Sequence, residues 1–178
     1  MLRRNHPVHG FISPDEFVPM AERNRTIRAL TQWVLRRAFR DCANWHKQGL
    51  PFKVSVNLSA KDLHDPELPY LISGVAVSAG IKPEWIILEI TEGSDMPDPD
   101  RALEVIKRLF EMGFQFTIDD FGTGYSSLSC LKKLPLAEIK IDKAFVMDVL
   151  NSENNAPIVK ATINLGHNLG LLVAAEVG

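Results

Sequence analysis

From Lys53 onward, short runs of Val, Ile, Leu and Phe alternate with longer stretches of helical periodicity, and this alternation narrows the possible folds more than any other feature. Val54, Val56 and Leu58 read as a strand, followed by a polar turn at Ser59 and a helix through Leu71, Ile72 and Val75. The unit then repeats in type. Ile86-Ile87-Leu88-Glu89-Ile90 is a nearly continuous apolar strand, and the amphipathic helix after it is striped by Ala102, Val105, Ile106, Leu109 and Phe110. Phe114-Gln115-Phe116-Thr117-Ile118 predicts a third strand, Leu128 to Leu134 a short helix, and Ile139-Lys140-Ile141 a fourth strand. Ile158, Ile163, Leu165 and Leu169 mark a last helix leading into a fifth strand, Leu171-Leu172-Val173-Ala174-Ala175. Strands that are apolar on both faces and separated by helices predict a parallel sheet covered by helices.

Two helices are expected ahead of this region. Ser13-Pro14-Asp15-Glu16 combines an N-cap hydroxyl, a proline at the first helical position and a glutamate three residues on, so a helix opens there and runs to about Arg23. Thr26 is placed as the cap of a longer helix, whose Ile27, Leu30, Val34, Ala38, Cys42 and Trp45 recur at three- and four-residue steps until Gly49 and Pro51 close it. At 178 residues, with 46% of positions apolar and 24% charged, the chain suits a single domain spanning 1–178. Twenty Lys+Arg against 22 Asp+Glu leave a formal charge of -2, so no global basic field would hold a long nucleic acid, while a small anionic ligand is compatible. Cys42 and Cys130 sit in apolar stretches without CxxC spacing, which argues against a disulfide framework or zinc knuckle and for a reduced, cytoplasmic setting. No apolar run approaches the ~18 residues of a membrane span.

The choice between an open doubly wound sheet and a (β/α)₈ barrel turns on the strand ends. Polar or acidic residues terminate nearly every strand: Asn57, Glu89 to Glu92, Asp119-Asp120, Lys140 to Asp142, and Glu176. In a barrel those C-terminal ends converge on one mouth, where catalytic groups sit. No GxGxxG or P-loop follows any strand, which weakens the dinucleotide-fold alternative. An amide, several carboxylates and a lysine around one mouth suit hard divalent cations, because Mg²⁺ and Mn²⁺ prefer oxygen ligands. Asp119 and Asp120 are the most telling pair, since adjacent repelling charges at a buried strand end are costly unless a cation compensates them. Two metals about 3.5–4 Å apart would activate a water and stabilise the leaving oxygen of a phosphodiester, with Lys140 orienting that water. Each acid taken alone reads as well as a helix cap. Phe121-Gly122-Thr123-Gly124-Tyr125-Ser126-Ser127 then follows the Asp pair as a loop whose glycines permit positive φ and close approach to a ligand.

Together, Val56-Asn57-Leu58-Ser59, Leu88-Glu89-Ile90-Thr91-Glu92, Asp119-Asp120-Phe121-Gly122-Thr123-Gly124 with the residues to Leu128, and Ile139-Lys140-Ile141-Asp142 resemble the EAL-domain cyclic-di-GMP phosphodiesterases in order and spacing. Phe11 to Pro19 and the helix around Trp33-Val34-Leu35 resemble the early part of that domain, so the likeness covers essentially the whole chain. The resemblance implies a TIM-like (β/α) barrel of the EAL type that uses two Mg²⁺ or Mn²⁺ ions to hydrolyse cyclic-di-GMP to its linear dinucleotide in bacterial signalling. Carried over position by position, Asn57, Glu89, Asp119 and Asp120 would be metal ligands, Lys140 would position the water, and Glu176 would be a further acidic group. Asp142 would support Lys140, and Glu92 would brace the loop of Phe121, Gly122, Thr123 and Gly124. Arg3 falls where the family's signature arginine contacts a substrate phosphate, a task that bidentate guanidinium geometry suits.

The family signature places a metal-binding glutamate four residues before that arginine, ahead of Met1 here, and Val177 stands where the family has a glycine after Ala175-Glu176. The expectation is therefore an incomplete barrel, from a strand-one remnant through strand seven, with impaired hydrolysis and exposed edges that favour a homodimer or other self-association. The alternative is an inactive module that binds cyclic-di-GMP or a protein partner. Fused sensory or GGDEF domains, or a membrane tether in the parent protein, fit either. His6, His9, His46, His64 and His167 lack metal-ligand spacing and are expected at surface or loop positions, Trp33, Trp45 and Trp85 are expected to pack, and the early arginines read as a solvated helix face.

Overall fold

Five strands lie side by side, parallel and in chain order: β3 (Val54–Leu58), β4 (Ile86–Thr91), β5 (Gln115–Phe121), β6 (Glu138–Ile141) and β7 (Leu172–Ala175). Each of the five was legible from its apolar run. The structure, a computed structural model, describes residues 3–8, 10–92, 98–123, 131–147, 149 and 155–176. Crossover helices α3 (Leu68–Ala79), α4 (Pro99–Glu111), α5 (Lys143–Met147) and α6 (Asn155–Asn168) connect them, preceded by α1 (Pro14–Arg23) and α2 (Ile27–Lys47). Residues 128–130 of the short helix expected over 128–134 lie outside the described residues, as does Gly124.

The sheet corrects one sequence expectation. β3, β5 and β6 are apolar on one face only, whereas β4 adds Ile87 and β7 adds Leu172 and Ala174 on the other. Val56, Leu58, Leu88, Ile90, Phe116, Ile118, Ile139 and Ile141 are buried beneath the helices, largely against Leu35, Phe39, Ile72, Ile106 and Leu109. Removing each such side chain from water stabilises the fold by ~1.5–3 kcal/mol before conformational entropy is subtracted. Because side chains alternate along a strand, Ser55, Asn57, Glu89, Thr91, Thr117, Asp119, Glu138 and Lys140 take the opposite, concave face. Barrel interiors are filled from this face, so polar residues there mark it as the side that carries the site. Among the described residues β3 and β7 are the two edges of the sheet, and the barrel is not closed.

Arg4–His6, in the region expected as a strand-one remnant, is a strand (β1), but it pairs antiparallel with Gly10–Ile12 (β2) in a separate two-stranded sheet. Ser13 caps α1 as expected, its side chain accepting a hydrogen bond from the Asp15 amide. Thr26 stands at the N-cap of α2 as expected, its carbonyl accepting the Leu30 amide at 3.1 Å, but its hydroxyl makes no capping bond and donates back to the Ala21 carbonyl of α1. The buried line of α2 runs through Thr31, Leu35, Phe39, Cys42 and Ala43, one position beyond most of the apolar stripe read from the sequence. Gly80, at φ +68°, ends α3 in the left-handed conformation that a glycine adopts without strain. The Asp98 side chain accepts from the Arg101 amide to cap α4. Trp85 packs flat against His46, with ring centroids 3.5 Å apart, and Trp45 meets Phe52 edge-on at 6.3 Å, whereas Trp33 is largely exposed, contrary to expectation.

Candidate functional site

Three neighbouring strands and the residue after a fourth bring their charged groups to one place. Lys140, near the end of β6, extends from the concave face, and its Nζ lies 2.6 Å from Glu89 Oε1, 3.6 Å from Asp119 Oδ1 and 3.3 Å from Glu176 Oε1. Glu89 belongs to β4, Asp119 to β5, and Glu176 follows β7. The Glu89 carboxylate is almost wholly buried, and burying a carboxylate this deeply is costly without an opposite charge beside it. Burial works against the Lys140 charge as well, but Glu89, then Asp119 and Glu176, outweigh it and hold the ammonium above the ordinary lysine range.

β5 is built to present two acids at once. Its register against β6 slips between Ile118 and Phe121, and Asp120 within the slip adopts φ +55°. That left-handed value is uncommon outside glycine, although aspartate and asparagine tolerate it best. The bulge aims two consecutive carboxylates toward the same mouth, where strict alternation would have sent them to opposite faces. One oxygen each of Asp119, Asp120 and Glu176 lies within 4.8 Å of the others. Partial burial, Asp119, Asp142 and Glu176 together push the Asp120 carboxyl up to about 6.

The loop after the pair is held from both sides. Gly122 N–H donates to Glu92 Oε2 at 2.6 Å, and the Glu92 amide donates to the Asp119 carbonyl at 3.0 Å. Thr123 returns a hydroxyl bond of 2.8 Å to the Asp120 carbonyl, and Phe121 is buried. Gly122 is needed here: at φ +106° a side chain would be strained, and its Cβ would stand 2.9 Å from the Phe145 ring. Asp142 lies against Asp120 and accepts the Ala144 amide at 2.7 Å through Oδ1. Asn57 is exposed on β3, directly in register with Glu89. Arg3 is exposed and lines a different feature, a groove of about 730 Å³ shared with Arg4, Phe17, Met20, Leu30 and Trp33.

Sequence reasoning missed the supports of the β3–α3 corner. The Glu22 carboxylate accepts from the Ser59 hydroxyl, and Thr31 Oγ1 donates to buried Asp62 Oδ2 at 2.6 Å. A signal for Asp62 alone was present, since Ser59-Ala60-Lys61-Asp62 has capping-box spacing, but it carries nothing about Thr31.

The model of the EAL domain family matches residues 1–177. The chain belongs to the EAL family. It is 44% identical over 99% of its length to an uncharacterized signaling protein of Caulobacter vibrioides, covering 21% of that protein. It is 39% identical to the bifunctional diguanylate cyclase/cyclic di-GMP phosphodiesterase MucR of Pseudomonas aeruginosa, covering 26% of it. The chain thus spans about a quarter or less of these two relatives. Among solved structures, the PaMucR phosphodiesterase in complex with c-di-GMP matches the whole chain with a TM-score of 0.94 at 38% identity, over 72% of that chain. The EAL domain of FimX matches 98% of it with a TM-score of 0.88 at 27% identity, over 70% of that chain. The parallel sheet described above is therefore part of an EAL-type TIM barrel.

The residues of this EAL domain fit a hard divalent cation. The donors are all oxygen atoms, and three carboxylates converge within reach of one ion. The buried Thr117 hydroxyl, in register with Glu89, has no partner among the described residues and points the same way.

Proposed function

We propose that this EAL domain hydrolyses cyclic-di-GMP to the linear dinucleotide, with Mg²⁺ or Mn²⁺ as the cofactor. The observation that carries this reading is Lys140 held among Glu89, Asp119 and Glu176 on the concave face beside the Asp119–Asp120 bulge. Asn57, Glu89, Asp119 and Asp120 would hold the metal, with Glu176 as a further acidic group. Bound there, two divalent ions would supply Lewis-acid stabilisation of the charge that develops on the phosphodiester oxygens. Lys140 keeps its proton throughout and donates it in a hydrogen bond that orients the attacking water. Water adds across one P–O bond of the ring, leaving a 5′-phosphate and a free hydroxyl. Glu92 braces the loop at Gly122, Asp142 is proposed to support Lys140, and Arg3, although it lines a separate groove here, is proposed to meet a substrate phosphate. The naming of MucR and of the cyclic di-GMP phosphodiesterase NbdA supports this substrate, and the diguanylate cyclase in MucR's name also supports fusion to a GGDEF domain in the parent protein.

Chromatography of cyclic-di-GMP incubated with the protein and Mn²⁺ should show the linear dinucleotide. The glutamate that the family signature places four positions before Arg3 lies outside the 178 residues, so a form extended by Glu-Ala before Met1 and by a final strand is expected to be faster. Binding without cleavage by the extended form would favour the receptor alternative. The open edges at β3 and β7 also predict that the 178-residue polypeptide self-associates. A monodisperse monomer by light scattering at high concentration would count against that.

A further inference from the structure

The Asp62 carboxylate is one that the proposed chemistry leaves unused, and its setting is costly. Asp62 is 4% exposed, and among the described residues no lysine or arginine pairs with it. Its partners are neutral: Thr31 Oγ1 donates to Oδ2 at 2.6 Å, and the Ser59 backbone bonds to the carboxylate. Asp65 and Glu22 add like charge nearby, and Asp65 is itself occupied by Arg28 at 3.0 Å. A buried charge kept by neutral groups alone contributes little to stability compared with an apolar residue of similar size. What it does is fix a position.

That position is the end of β3. The amides of Asp62 and Leu63 both bond the Ser59 carbonyl, at 3.0 and 3.3 Å, and the Ser59 hydroxyl is held by Glu22 of α1. Ser59 is two residues after Asn57, which faces Glu89 across the strand pair. We propose that Asp62, clamped by Thr31 of α2, is a positioning residue that locks the β3–α3 corner so that Asn57 is presented to the cation site. This rests on the reading above in taking Asn57 as a cation ligand. The clamp gives α2, a helix remote from the carboxylates in sequence, a direct hold on a strand end of the mouth.

The test is calorimetric titration of Mn²⁺ into the whole chain, with folding checked by circular dichroism. Thr31→Val keeps the shape of the side chain and removes the donor. It should weaken Mn²⁺ binding ~10-fold, the size of effect typical of groups that orient a ligand. Thr31→Ser, which keeps the hydroxyl, should restore it, and Asp62→Asn should fall between. In an Asn57→Ala background the same Thr31→Val change should cost less than about twofold, because the group it positions is gone. Equal weakening in both backgrounds, no weakening at all, or failure of serine to restore binding overturns the proposal. So does an Asn57→Ala chain that binds Mn²⁺ as tightly as the native one. If the coupling between Thr31 and Asn57 is found but no form cleaves cyclic-di-GMP, the clamp stands and the hydrolase reading falls.

Discussion

Asp120→Asn should raise the unfolding midpoint of the metal-free domain at pH 8 and, in the same protein, abolish hydrolysis. Asp120 is crowded by Asp119, Asp142 and Glu176, and its carboxyl is pushed up to about 6 from an ordinary 3.8. The folded state therefore holds the Asp120 proton more tightly than the unfolded chain. Ionising the group costs stability, a cost absent below about pH 4, growing between pH 4 and 6 and fully present above. Asparagine is neutral at every pH and is the residue best suited, after glycine, to φ +55°. The carboxylate is partly solvated, so screening reduces the repulsion, and a gain of 2–4 °C, on the order of 1 kcal/mol in a chain of this size, is the reasonable scale. The difference between the two proteins should shrink to nothing as the pH is lowered toward 4. Turnover should fall by ~10³-fold or more, since an amide cannot supply the negative charge that draws divalent cations to the mouth. Thermal melts in chelator across pH 4–8, with the Mn²⁺ assay, decide the matter. A midpoint at pH 8 that is unchanged or lower would mean that Asp119 and Asp120 do not repel as their geometry requires.

This trade of stability for chemistry also explains which parts of the structure were legible in advance. The strands were, because Val54, Leu88, Phe116, Ile139 and Val173 each sit in a short apolar run bounded by polar residues. The division of the sheet into faces was not. Leu88 and Ile90 flank Glu89, so β4 reads as buried throughout, and it is so, Glu89 included; what the run does not tell is that Glu89 turns to the face opposite Leu88 and Ile90, beside Lys140. The stripe on α2 was displaced for a similar reason: Thr31 is a poor candidate for a core position by composition, yet it is buried because Asp62 lies opposite, 31 residues away in sequence. No local pattern reports a partner at that distance. The hairpin of β1 and β2 has only three residues per strand, too few for alternation to register. The acidic ends were legible as chemistry. The bulge that turns Asp120 toward Asp119 was not, because it depends on the register with β6.

Lys140→Ala should be the most damaging single change to the metal-free protein, and for a reason separate from turnover. Lys140 is the cation that stands among Glu89, Asp119 and Glu176, and the Glu89 carboxylate beside it has almost no solvent to fall back on. Removing one partner of a buried ion pair strands the other, at a cost of ~3–5 kcal/mol. The sign with pH is set by the ammonium. The Lys140 ammonium is held above the ordinary lysine range, so its contribution is fully present below about pH 10 and is lost only in strongly alkaline solution. Glu89→Gln combined with Lys140→Ala should recover much of the stability, because it removes the stranded charge. Mn²⁺ should also recover part of it, since a bound cation replaces the missing ammonium, whereas hydrolysis should stay depressed by ~10²-fold or more, because the hydrogen bond that orients the attacking water is gone. Denaturant unfolding of the single and double variants, with and without Mn²⁺, separates these effects. If Lys140→Ala unfolds at the native denaturant concentration and turns over at the native rate, Lys140 neither compensates the buried acid nor orients the water.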